Sequence, residues 1–145
     1  MPIAVDHESR WAPTPELIAA GHLDGLVVAS PSNPTGTVLG ADAMERVAEH
    51  CRVNDVRIVA AEIYQAIVEE PAPQMLDHHP DAFVNSSLSK YWSMTGWRVG
   101  WVVVPDSLVD TVERLQQNLF ICAAHVLKVA ALAALDAMSK ASRCN

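Results

Sequence analysis

The chain has 145 residues, half of them hydrophobic and 19% charged, with a formal net charge of −7, which describes one ordinary globular domain with its own core. The acidic balance and the lack of any basic cluster argue against nucleic acid or an anionic membrane as partner, and the apolar runs are too short to span a bilayer. Cys51, Cys122 and Cys144 lack metal-type spacing and "MPIAVDHESRW" is not a secretory signal, so inert, reduced thiols in a cytoplasmic setting are expected.

In chain order, "APTPELIAAGHLDG" reads as a loop and a short helix, with Thr14 as N-cap before Pro15 and Glu16. "GLVVAS", 25–30, is a brief apolar run stopped by the turn-rich "PSNPTG" and reads as a buried strand. Residues 40–53 place Met44, Val47 and Cys51 at helical spacing. "VRIVAAEIY", 56–64, is short and β-branched, a second strand. "EEPAPQMLDHHPD", 69–81, reads as a long surface loop, and "DAFVNSS", 81–87, as a third strand. "GWRVGWVVV", 96–104, reads as a fourth, with glycines where the backbone passes something closely. From Asp106, Leu108, Val112, Leu115 and Leu119 form the apolar stripe of an amphipathic helix, 106–120. Residues 124–138 are apolar nearly all round, the pattern of a helix buried on several sides. The alternation predicts an α/β layer with a partial, mostly parallel sheet and flanking helices.

In a parallel sheet, ligands bind at the C-terminal strand ends. Three unusual segments fall there: "SNPTG" after the first strand, "EIYQ" at the end of the second, "SLSK" after the third. Together with Arg98 they would gather an amide, Asn33; a phenol, Tyr64; hydroxyls, Ser86, Ser87 and Ser89; and an amine, Lys90. An amine among hydroxyls and a guanidinium suits a phosphorylated aldehyde: the amine condenses with the carbonyl, and the hydroxyls with Arg98 hold the phosphate. Asn33 and Tyr64 can both donate to a ring oxygen. That set describes a pocket for pyridoxal 5′-phosphate.

The segments "SPSNPTG", "EIYQ", "SKYWSMTGWRVGW" and "RLQQNLFI" resemble the class I/II aminotransferases of the fold type I pyridoxal-phosphate enzymes. The likeness runs from about Trp11 to Met138, so residues 1–138 are expected to form part of that family's large domain, with 139–145 an unrelated or disordered tail. The resemblance implies Lys90 as catalytic base and covalent anchor of the cofactor. It implies Asn33 and Tyr64 at the phenolic oxygen, Ser87, Ser89 and Arg98 at the phosphate, and a cis Asn33–Pro34 bond. It further implies amino-acid and 2-oxo-acid substrates and a homodimer, as in intact relatives.

Two departures stand out. The family pattern before the tyrosine is Asp-Glu-Ile-Tyr, whereas this chain has "AEIY", with Ala61 in the position of the carboxylate that keeps the pyridine nitrogen protonated. Glu62 is adjacent but belongs to the opposite strand face. The chain is also much shorter than family members, so amino transfer is expected to be impaired in it alone. The alternatives are a catalytically silent remnant or a non-catalytic partner of a full-length homologue, and, as an enzyme, a pyridoxal-phosphate lyase or racemase. Trp92, Trp97 and Trp101 read as core and interface residues rather than cofactor stackers. Asp77, His78, His79 and Asp81 read as a solvated polar loop, not a metal site.

Overall fold

The computed structural model describes residues 2–142. Helix α1 (Pro15–Ala19) begins where Thr14 Oγ1 accepts the Leu17 amide at 3.4 Å, the cap expected from the sequence. Strand β1 (Gly25–Ala29), helix α2 (Ala41–Val53) and strand β2 (Arg57–Ala61) follow. Helix α3 (Met75–His78), strands β3 (Phe83–Ser87) and β4 (Gly100–Val103), and helices α4 (Val109–Leu119) and α5 (His125–Ser142) complete the order. The sheet runs β1-β2-β3-β4, with the first three strands parallel and β4 antiparallel to β3. It is a mostly parallel α/β layer, as the alternation of elements predicts.

One sheet face carries the core. Leu26, Val28, Ile58, Ala60 and Val84 alternate inward and meet Ile18 of α1, Met44, Val47 and Cys51 of α2, and Met75 of α3. Each large side chain buried here is worth about 1.5–3 kcal/mol of transfer free energy. The opposite face is left open: Val27 is 78% exposed in the middle of β1. Among the described residues no helix is long and apolar enough to cross a membrane.

Four expectations are corrected. The second strand stops at Ala61 rather than Tyr64, because residues 65–67 wind into a 3₁₀ turn. The fourth begins at Gly100 rather than residue 96: residues 95–97 form another such turn and Arg98 adopts φ 53°, a left-handed conformation no strand contains. The segment 69–81 is not a free surface loop, since α3 seats Met75 in the core. His78 accordingly turns onto α2, where its Nδ1 meets Glu45 Oε2 at 2.6 Å. Finally, α5 is not buried on several sides: Val126, Val129 and Leu132 are all more than half exposed, because nothing in the described chain covers them. The helix continues past Met138 to Ser142; the last three residues of the tail, Cys144 included, lie outside the described residues.

Candidate active site at the C-terminal strand ends

The parallel strands β1, β2 and β3 deliver their following loops to one edge. After β1, the buried Ser30 hydroxyl accepts the Leu39 amide at 3.0 Å, and the Gly36 amide donates to Ser32 O at 2.8 Å. Gly36 sits at φ 70° with open space around it, so the turn itself requires glycine. This turn presents Asn33. The Asn33–Pro34 bond is cis, as the resemblance implies, and so is Ser30–Pro31.

After β3, the segment from Leu88 to Val99 closes on itself. Leu88 donates to Val99 O at 3.1 Å, Met94 to Leu88 O at 3.2 Å and Ser93 to Lys90 O at 3.0 Å. The Thr95 hydroxyl donates to Ser89 O at 3.0 Å, and Arg98 Nη1 donates to Thr95 O at 3.1 Å. Residues eight apart in sequence, Lys90 and Arg98, are thereby folded to the same opening. Gly100 is required where β4 returns, since a Cβ there would stand 2.6 Å from Ser86 O. Gly96, by contrast, has nothing within 4 Å, so only one of the two glycines marks a close approach.

Lys90, Ser87, Ser89 and Arg98 line a hollow of about 400 Å³ together with Asn85. Asn33 and Tyr64 line a second, of about 300 Å³. The two are joined by Lys90, whose Nζ lies 5.4 Å from the centre of the Tyr64 ring. Asn33 Nδ2 donates to the Tyr64 hydroxyl at 3.1 Å, so the tyrosine oxygen is an acceptor here and its own proton is free to be donated onward. Ser89 is buried, and Ser87 Oγ accepts the Ser89 amide at 3.3 Å. The structure therefore brings the seven residues gathered from the sequence, Ser86 among them, to two adjoining hollows rather than one.

These groups fit three parts of pyridoxal phosphate: an amine for the aldehyde, donors for the phenolic oxygen, and hydroxyls with a guanidinium for the phosphate. The fourth part is different. Ala61 ends β2, and Glu62 turns to the other face, where it is buried and its Oε1 accepts the Met75 amide at 2.7 Å. Burial pushes the Glu62 carboxyl above its ordinary range; the Met75 amide pulls it down and nearby Asp77 pushes it up further. Among the described residues, no acidic one lines the hollow that holds Lys90.

The sequence reading missed Thr95, which braces Arg98, and Asn85; the signal for the latter was a carboxamide inside an otherwise strand-like run. Trp97 and Trp101 are half exposed rather than core, and Trp92 meets Trp101 edge-on at 6.4 Å. Among the described residues no group of three or more His, Cys, Asp or Glu is placed to hold a metal ion.

A family profile described as "Aminotransferase class I and II" matches residues 12–144. The chain is 39% identical to the valine–pyruvate aminotransferase of Mycobacterium tuberculosis over 132 residues, which are 88% of this chain and 34% of that enzyme. A crystal structure of a Silicibacter pomeroyi protein assigned to the aminotransferases superposes with a TM-score of 0.90 at 45% identity, covering 97% of this chain and 38% of that one. The aspartate aminotransferase of Thermus thermophilus, solved with maleate, gives 0.89 at 26% identity over 99% of this chain and 39% of its own. The chain thus spans about a third of the length of the curated relatives it matches. With the profile running over nearly the whole sequence and the sheet superposing on fold type I enzymes, this chain belongs to the class I and II aminotransferase family.

Proposed function

We propose that this chain carries the lysine-bearing part of a pyridoxal-phosphate site and serves amino-group transfer from an amino acid to a 2-oxo acid. The observation that carries the reading is the continuous set of contacts from Asn33 through Tyr64 to Lys90, with Ser87, Ser89 and Arg98 around the same lysine. When bound, the cofactor supplies a carbonyl to take up the amino group and a ring to draw electrons from the substrate carbon.

The chain's own residues do the rest. Lys90 Nζ would hold the cofactor at that carbonyl and would take and return the substrate's α-proton. Arg98 with the Ser87 and Ser89 hydroxyls neutralises and orients the phosphate. Tyr64 donates its hydroxyl proton toward the phenolic oxygen, its own oxygen held by Asn33. The open apolar sheet face and the exposed side of α5 support a homodimer of the kind expected for the family, and the cysteines Cys51 and Cys122, neither in a disulfide, support a cytoplasmic setting.

A second reading is favoured by Ala61. Without a carboxylate beside the pyridine nitrogen, electron withdrawal is weaker, by an amount comparable to losing a preorganised electrostatic group, on the order of 3–4 kcal/mol. A catalytically silent chain that binds cofactor, or that docks on a full-length homologue, follows from that loss. Titrating the protein with pyridoxal phosphate while following visible absorbance tests the first half of the proposal: a band that appears with wild type and not with Lys90→Ala supports the site. Assaying amino transfer with panels of amino acids and 2-oxo acids then separates the two readings.

A further inference from the structure

The sheet register points to a residue outside those seven. We propose that the Asn85 carboxamide is this chain's hydrogen-bond partner for the pyridine nitrogen of the cofactor, and that it holds that nitrogen unprotonated. The inference rests on the pyridoxal-phosphate reading of the site and deepens it.

Asn85 is the β3 residue paired with Ala61 of β2, so both side chains rise from the same face. The other neighbours of Ala61 on that face are Ala29, its partner on β1, and Val59, two residues back along β2. Of these three flanking residues, Asn85 alone offers a polar side chain. It lines the same hollow as Lys90 and Arg98. Its backbone carbonyl accepts the Glu62 amide at 2.9 Å, which fixes the register, while among the described residues its half-buried carboxamide has no protein hydrogen-bond partner.

A carboxamide in mid-strand is an unfavourable choice for folding, and this one is half-buried, with its donor and acceptor left open toward the hollow for a ligand or water. A ligand nitrogen in the hollow would take the place of that water. The chemistry then differs from that of a carboxylate. A carboxylate stabilises a pyridinium by charge; a neutral amide can donate its N–H to the lone pair of an unprotonated ring, or accept from a protonated one through its oxygen, but brings no negative charge to hold the proton there. Lys90 and Arg98 are matched by the cofactor's carbonyl chemistry and its phosphate, and among the described residues no acidic one lines the hollow to favour a ring proton.

Two measurements on the intact chain test this. The first compares binding of pyridoxal phosphate with that of its analogue carrying C–H in place of the ring nitrogen. Wild type is expected to prefer the natural cofactor by on the order of tenfold, the value of one hydrogen bond, and Asn85→Leu to bind both alike. The second reads the ring-nitrogen resonance of bound ¹⁵N-labelled cofactor: neutral-pyridine range for wild type, pyridinium range for Asn85→Asp. Equal binding of the two ligands by wild type, or a pyridinium signal in wild type, overturns the proposal without any variant. If both ligands bind equally yet depend on Lys90, the site reading survives and only the role of Asn85 falls. If neither binds, both fall together.

Discussion

Asn33 and Tyr64, thirty-one residues apart, are joined by a 3.1 Å hydrogen bond from the amide nitrogen to the phenol oxygen. That contact ties the loop after β1 to the turn after β2, and the Tyr64 ring in turn lies under the Lys90 amine. Removing the hydroxyl in Tyr64→Phe should weaken cofactor binding by roughly five- to tenfold, the range of one hydrogen bond. Stability should change by less than about 0.5 kcal/mol, since the bond is exposed and water replaces it. Cofactor titration alongside urea unfolding checks both halves.

Gly100 and Gly96 make a matched pair. Gly100→Ala drives a methyl group into Ser86 O and Ser87, so β4 must move away from β3, at a cost of about 1–3 kcal/mol. The displacement falls on Ser87, so phosphate-dependent binding should weaken as well. Gly96→Ala meets nothing within 4 Å and should be neutral to within about 0.5 kcal/mol. Urea midpoints of the two variants give the comparison.

Glu62 sets a pH dependence. Its carboxyl is raised in the folded state, chiefly by burial. Between the unfolded and folded pKa values the native state keeps a proton that the unfolded chain has lost, so stability falls as pH rises through that window. Glu62→Gln keeps an oxygen for the Met75 amide and removes the ionisation. Its unfolding free energy should therefore lose this downward slope, and the variant should gain on wild type as pH goes from about 4 toward neutrality. Urea unfolding across that range measures the slope; an unchanged slope contradicts the assignment.

The thiols should separate cleanly. Cys51 is buried in the core and pushed up to about 11 by that burial, whereas Cys122 is exposed. Maleimide labelling of the native protein followed by peptide mapping should mark Cys122 and spare Cys51 until denaturant is added. Equal labelling under native conditions would show the core around Cys51 to be open.

Much of this arrangement is legible in the residues. Met44, Val47 and Cys51 announce the buried side of α2, and all three are buried. The three chemically unusual segments sit at consecutive strand ends because β1, β2 and β3 are parallel neighbours. What escapes the sequence depends on contacts distant along the chain. The short α3 starts where Glu62, thirteen residues away, accepts the Met75 amide, a cap that no local pattern reveals. The fourth strand starts late because Arg98 takes a left-handed conformation, which its residue type does not advertise. The all-round apolar composition of α5 predicts burial, yet hydropathy reports a need for cover and not which surface provides it. Asn85 looks unremarkable until the register sets it beside Ala61.

The most direct test uses the scarcity of lysine, which occurs only at positions 90, 128 and 140. The protein is incubated with pyridoxal phosphate, reduced with borohydride and mapped by peptide mass spectrometry. The site described above predicts the phosphopyridoxyl group on Lys90 at near-stoichiometric cofactor, and its loss in Lys90→Ala. Label spread over Lys128, Lys140 and the N-terminus, or label unaffected by that substitution, would contradict it.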